Sequence, residues 1–241
     1  MPLQKKNAVA VYCGSSFGTS SAFAAAAISL GHALAASERT LVYGGMAKGL
    51  MGVVSGAVLE GGGKVIGVTP SAMIKAGGEA EKVTSPVKVK ISQKGREKIE
   101  TISTSDNPFI VVESMHERKV EMAKRADGFI GLPGGYGTFE EILEATTWSQ
   151  LGIHDKPVVL LNVLSFWEPL RMMIKSGINS GFIRPSGEQL ITIVDGPEDH
   201  QEHESFDWGK AAIEAIDRWE VGGIDNLYDW SGRGSTEYKR T

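Results

Sequence analysis

Arg118 and Glu141 bracket the stretch of this chain whose residue types and spacing suit the binding of an anionic ligand and chemistry beside it. Gly128 to Leu132 is a short apolar run between Asp127 and Pro133 and reads as a buried strand. Pro133-Gly-Gly-Tyr-Gly-Thr138 follows at once. Its glycines, Gly134, Gly135 and Gly137, let the main chain turn tightly and let a ligand approach it closely. Thr138 is expected to open a helix, with Glu141 three residues on at capping-box spacing. A helix N-terminus adds free N–H groups and positive partial charge, so loop and helix together form a phosphate cradle. Upstream, Ser114 caps a helix over Met115–Ala126. Arg118 has no acid four residues before it (Ser114) or after it (Met122), so its guanidinium is free to grip a phosphate or ribose in bidentate fashion. Arg125 has a simpler role, since Glu121 stands four residues before it.

The helical repeat places Phe139, Ile142, Leu143 and Thr146 on one face and Glu141 roughly opposite, near Trp148. Two readings of Glu141 stay open on the residues alone. It belongs to a solvated acidic first turn with Glu140 and Glu144, favoured by the helix dipole, or it looks over the loop toward a ligand. Two further glycine loops stand at strand ends. Ala8–Cys13 runs into Gly14, Ser15, Ser16, Phe17 and Gly18, and Thr40–Tyr43 runs into Gly44 and Gly45, with Gly49 and Gly52 beyond. Ligands of open α/β sheets sit at such ends, although tight helix–strand packing also needs glycine there. Cys13 reads as a small buried hydrophobe, with no basic neighbour in sequence to activate it.

The elements that must hold these loops alternate. Strands are expected at Ala8–Cys13, Thr40–Tyr43, Lys64–Val68, Pro108–Val112, Gly128–Leu132, Lys156–Asn162 and Leu190–Val194. Helices are expected at Ser20–Ser37, Leu50–Leu59, Met115–Ala126, from Thr138 onward, at Phe166–Ser176 and at Asp207–Trp219. This is the pattern of an α/β, Rossmann-like, doubly wound and mainly parallel sheet with helices on both faces. We expect a single domain over 1–220 and a loosely ordered tail over 221–241, rich in Gly, Asp, Ser and Arg. Thr69–Asn107 is hard to read and long for a connection in a compact domain.

Composition narrows the partners. The 241 residues are 41% hydrophobic and 22% charged with a net charge of −4, enough for a sizeable core and against nucleic acid as the main partner. The single cysteine excludes an intrachain disulfide and suits a reducing compartment. Met1–Asn7 has no apolar core of a signal peptide, and no run approaches membrane-spanning length, so a cytoplasmic protein with no membrane association is expected. His116 and Glu117 lack the spacing of a metal-binding helix, and no metal is expected. The Gly-x-x-x-x-Gly-Lys-Ser/Thr loop of ATPases is absent.

Met115-His-Glu-Arg-Lys119 followed by Pro133-Gly-Gly-Tyr-Gly-Thr-Phe-Glu-Glu141 resembles the LOG ("Lonely Guy") family of cytokinin-activating phosphoribohydrolases, often mislabelled lysine decarboxylases. Its Pro-Gly-Gly-x-Gly-Thr-x-x-Glu motif is matched at every defined position. Thr147-Trp-Ser-Gln-Leu-Gly-Ile-His-Asp-Lys-Pro157 resembles the family too, and the likeness covers most of Val9–Val194. It implies hydrolysis of the N-glycosidic bond of a cytokinin riboside 5'-monophosphate, or of AMP, to free base and ribose 5-phosphate, with no cofactor. It also implies site residues. Glu141 would stabilise positive charge on the ribose and Arg118 would orient the phosphoribosyl group. Gly134, Gly135, Tyr136, Gly137 and Thr138 would grip the phosphate. Gly14, Ser15, Gly44, Gly45, Met115, Lys119 and Thr147 would be further substrate contacts. A ligand glutamate is implied within 69–107, where Glu79 and Glu81 are candidates. The family is typically a homodimer, and the apolar surface at Trp148 and Leu151 suits one.

Two other classes are weighed. A nucleotide carrier or sensor on the same fold would keep the glycine loops without needing Glu141. A dinucleotide oxidoreductase fits poorly, because Cys13-Gly-Ser-Ser-Phe-Gly18 has two of the three fingerprint glycines and Tyr43-Gly44 stands where an acid should end the second strand. A pyridoxal-phosphate decarboxylase needs a marked Schiff-base lysine, and no segment supplies one.

Overall fold

The structure is a computed structural model and describes residues 7–75 and 109–220. The expectations for Glu79, Glu81 and the 221–241 tail fall outside the described residues. Strands β1 (Ala8–Tyr12), β2 (Thr40–Tyr43), β3 (Val65–Pro70), β4 (Phe109–Val112), β5 (Phe129–Gly131), β6 (Val158–Asn162) and β7 (Thr192–Asp195) form one sheet in the order β4-β3-β2-β1-β5-β6-β7. Every pairing among them is parallel. The expectation of a mainly parallel, doubly wound sheet is therefore met, without the antiparallel member that "mainly" allowed.

Helices α1 (Ser21–Ala36), α2 (Gly49–Glu60), α3 (Ser71–Lys75), α4 (Met115–Arg125), α5 (Tyr136–Leu151), α6 (Glu168–Asn179) and α7 (Trp208–Arg218) make the connections, with three short 3-10 turns among the described residues. Alternation along the strands divides the core. Val9, Val11 and Cys13 face α1, α2 and α7, whereas Ala10 and Tyr12 face α4, α5 and α6. A two-residue period on a sheet covered on both sides makes both phases apolar, which is why β1 and β6 read as continuous hydrophobic runs. Gly31 of α1 and Ala57 of α2 let the two helices lie close: a Cβ on Gly31 would fall 2.6 Å from the Ala57 methyl.

Element limits lie within two residues of expectation except at the C-terminal end of α6. The stretch from Thr69 opens with order, because Thr69 and Pro70 pair with Val111 and Val112 and the chain then turns through α3. Helix α6 runs to Asn179, three residues past the expected end at Ser176, so Gly177 lies inside it. Helix α5 begins at Tyr136, two residues before Thr138, because Gly135 in an extended conformation already serves as its N-cap. Among the described residues no helix is long and apolar enough to cross a membrane.

The winding reverses direction between β1 and β5, which leave toward opposite edges of the sheet. In open α/β sheets ligands bind outside the strands' C-terminal ends at such a switch point. The loops of β1, β2 and β5 that carry glycines all meet there.

Candidate active site

The β1 and β5 loops touch directly. Gly14 N–H donates to the Pro133 carbonyl at 3.0 Å, and a Cβ on Gly134 would come within 2.9 Å of the Gly14 nitrogen. The β2 loop closes on the same point, with Leu50 N–H donating to the Gly14 carbonyl at 3.0 Å. Gly49, at φ +57°, brings α2 against the Ser15–Ser16 backbone so closely that a Cβ would fall 2.3 Å from the Ser15 carbonyl carbon. A left-handed conformation and no room for a side chain together demand glycine at that position.

The first turn of α5 has no side-chain cap. The expected capping box at Thr138 is not formed, because Thr138 lies inside the helix and 3% exposed, with its hydroxyl tucked under Gly134. The first-turn N–H groups therefore have no partner from a capping side chain, and around Gly135 and Gly137 the space that a Cβ would enter is open. This arrangement suits an anion. Tyr136 stands 92% exposed above the loop.

Behind the cradle lies the pair that sequence spacing placed on neighbouring helices. Arg118 and Glu141 are both buried, and Arg118 Nη2 stands 3.3 Å from Glu141 Oε1. Arg118 Nε donates to the Val68 carbonyl at 3.2 Å, and Nη1 lies 3.9 Å from the Met115 sulfur. The guanidinium fills the place of a side chain at Gly44, where a Cβ would be 2.1 Å from Nη2. Thr69 holds the Gly44 carbonyl through its hydroxyl at 2.7 Å and also packs against Gly45, at φ +75°.

The buried face of α5 is Thr138, Glu141, Ile142, Ala145 and Ser149. This corrects the expected stripe, because Phe139 and Leu143 are partly outside at 37% and 39% exposure. Glu141 thus faces inward, rather than out over the loop. Burial pushes its pKa up to about 7, against the pull of Arg118. A carboxyl there exchanges a proton near neutral pH, as a general base must. Tyr12 and Cys13 line the same end of β1, and burial raises both pKa values, with Glu141 adding to the effect, so both stay protonated. Cys13 is the buried small side chain expected.

Lys119 and Thr147 sit differently. Lys119 Nζ reaches across to α5 and contacts Glu140 Oε1 at 2.5 Å and Glu144 Oε1 at 2.9 Å. Burial lowers the pKa of Lys119, but the hydrogen bonds with Glu140 and Glu144 outweigh it and raise it overall. Thr147 donates its hydroxyl to the Leu143 carbonyl at 2.7 Å. Nine residues of helix set Thr147 about 14 Å from Thr138 along the axis, apart from the cradle. The Glu121–Arg125 pair forms as expected. Sequence reasoning did not single out Tyr12 or Thr69, nor the clamp at Lys119. Tyr12 and Thr69 each occupy a strand's C-terminal end, the one signal that marks them. Among the described residues no cluster of His, Cys, Asp and Glu is gathered that could hold a metal. A surface cavity of about 610 Å³ lined by Phe206, Asp207, Lys210 and Glu214 lies on α7 and has none of these features.

The chain is similar to known proteins in sequence and in fold. Residues 51–203 match the family model described as "Possible lysine decarboxylase". The chain is 44% identical over 191 residues to the probable cytokinin riboside 5'-monophosphate phosphoribohydrolase LOGL2 of Oryza sativa subsp. japonica, covering 79% of this chain and 69% of that one. It is 40% identical over 214 residues to the cytokinin riboside 5'-monophosphate phosphoribohydrolase LOG5 of Arabidopsis thaliana, covering 88% and 84%. In structure it is similar to the molybdenum cofactor carrier protein of Chlamydomonas reinhardtii, with a TM-score of 0.55 at 20% identity over 89% of this chain and 98% of that one. At that identity the likeness is one of fold.

Proposed function

Because the chain belongs to the LOG family of cytokinin riboside 5'-monophosphate phosphoribohydrolases, we propose that it hydrolyses the N-glycosidic bond of such nucleotides, and of AMP, to free base and ribose 5-phosphate. The observation that carries this reading is the buried Arg118–Glu141 pair beside an open phosphate cradle. A carrier needs the cradle. It does not need a buried carboxyl beside that arginine whose pKa burial pushes up to about 7, within the range a general base uses.

The chemistry follows from the placement. The 5'-phosphate seats on the Gly134–Thr138 turn, with the loops at Gly14, Ser15, Gly44 and Gly45 shaping the crevice around the ribose. As the C1'–N bond breaks, its electrons leave with the base and positive charge grows on the sugar ring. Glu141 stabilises that charge and takes the proton from the water that adds to C1'. The proton ends on the departing base, so atoms and charge balance. Arg118 orients the phosphoribosyl group, with Met115 beside it.

The decarboxylase description of the family model implies a pyridoxal phosphate lysine. Lys119, the lysine at this site, is held as an ammonium by two carboxylates, whereas a Schiff base forms from a free amine. The residues do not fit that group. A homodimer is part of this reading. The exposed Leu143 and the half-buried Trp148 on α5 supply apolar surface for a second copy to cover. Light scattering at micromolar concentration that returned the mass of one chain would count against it.

The reaction is tested by incubating the protein with isopentenyladenosine 5'-monophosphate and with AMP and resolving the products. Free base and ribose 5-phosphate in equal amounts are expected. Tight nucleotide binding with no base released would favour the carrier reading instead.

A further inference from the structure

Glu141 is the only one of three neighbouring α5 carboxylates that points into the site. Glu140 and Glu144 flank it on the same helix, and a lone anion between two others is hard to keep ionised. Both flanking carboxylates are met by one cation, Lys119, at 2.5 and 2.9 Å, and its side chain is 13% exposed. Lys119 directly follows Arg118 on α4, so consecutive residues of α4 engage α5: Arg118 binds Glu141, and Lys119 binds its two neighbours.

We propose that Lys119 is a positioning residue for catalysis, which by bridging Glu140 and Glu144 keeps Glu141 ionised and in register with Arg118. The inference rests on the hydrolase reading for its consequence, but not for its geometry. The charged and titratable groups acting on Glu141 are Arg118 and Lys119 from α4, Glu140 and Glu144 from α5, and Tyr12 and Cys13 from β1. The last two stay protonated and carry no charge. Glu140 and Glu144 raise the pKa of Glu141, while Lys119 and Arg118 lower it. With Lys119 the three flanking groups sum to −1, and without it to −2. Removing Lys119 therefore makes Glu141 harder to ionise, at a site where it already titrates near neutrality.

The test is the pH profile of kcat/KM for Lys119→Met, Lys119→Arg and the triple variant Lys119→Met, Glu140→Gln, Glu144→Gln. The substrate phosphate titrates identically in all of them, so differences belong to the protein. In Lys119→Met the acid limb moves up by roughly one pH unit, the effect of a unit charge several ångströms away at a screened site. Lys119→Arg keeps the wild-type limb, and the triple variant returns to it or lies below. The readout is the position of the limb, whatever the height of the plateau. An equal loss at every pH would reduce Lys119 to a structural strut, and a raised KM with an unmoved limb would make it a substrate contact; either overturns the proposal. If Lys119→Met fails to fold, Glu140→Gln with Glu144→Gln carries the test, and must move the limb down. A ¹³C-carboxyl NMR titration of Glu141, assigned by its loss in Glu141→Gln, reads the same shift without turnover. A protein that hydrolysed no nucleotide would overturn the reaction while leaving that titration to decide on Lys119.

Discussion

Arg118 Nη2 and Glu141 Oε1 lie 3.3 Å apart with both side chains 8% exposed, yet burial pushes the carboxyl pKa up to about 7. An ion pair normally lowers a carboxylate pKa. Here desolvation outweighs the guanidinium, which shares itself with the Val68 carbonyl. The pair is thus poised to change its charge state within the working pH range.

Glu141→Gln keeps the shape of the side chain and removes its charge. Loss of one such electrostatic contact costs roughly 10²–10³-fold in rate. We expect kcat to fall by that amount and the affinity for AMP to change far less, since the cradle at Gly134–Thr138 is untouched. Steady-state kinetics with calorimetric titration of AMP checks both.

Arg118→Ala acts on binding and rate together, because a cation gripping the phosphoribosyl group works in ground and transition states alike. It also leaves Glu141 buried without its partner. Breaking a buried pair from one side costs about 3–5 kcal/mol when the other charge remains. Glu141 escapes part of this by taking up a proton, so urea denaturation should show a smaller loss of stability at pH 5 than at pH 8.

The raised pKa of Glu141 has its own sign. The folded state binds its proton up to about 7 whereas the reference value is 4.5, so the folded state holds more protons between those values and stability falls as pH rises through that window. Glu141→Gln mimics the protonated form and lacks this dependence. Relative to wild type, the variant should gain up to ~3 kcal/mol between pH 4.5 and pH 8, by the pKa difference. Denaturant midpoints measured across this range in both proteins test it, and parallel curves would show Glu141 to titrate normally.

Gly44→Ala separates fold from geometry. The added methyl meets only the far end of a flexible side chain, Arg118 Nη2 at 2.1 Å, together with looser contacts, so the chain should fold and the guanidinium should shift. A misplacement of about 1 Å costs on the order of 10²-fold in rate. We expect a loss of that size in kcat/KM with a melting temperature close to wild type.

The phosphate should be required. The cradle combines an uncapped helix N-terminus with open glycine surface, and neither interacts with a bare riboside. The value of kcat/KM should drop by orders of magnitude for isopentenyladenosine compared with its 5'-monophosphate. Similar values for the two would remove the cradle from the mechanism.

Much of this protein was settled along the chain itself. Alternating apolar runs and helical repeats define the order of strands and helices, since each element's period depends only on neighbours in sequence. Glycines at the ends of β1, β2 and β5 mark the end of the sheet where these loops converge, because turns that tight tolerate little else. Arg118 and Glu141 stood out through motif and spacing. What hydropathy could not decide was the direction in which α5 faces. It placed Phe139 and Leu143 inside and left Glu141 outward, whereas the fold buries Glu141 and leaves those two partly exposed. Nor could it tell that Lys119 spends its charge on Glu140 and Glu144, residues more than twenty positions away. Both facts arise where α4 and α5 meet through ion pairs over the central strands of the sheet. There the ion pair with Arg118 and the fit beneath Gly134 determine which side of the helix turns inward. Those energies come from contacts distant in sequence, so only the tertiary structure could set them.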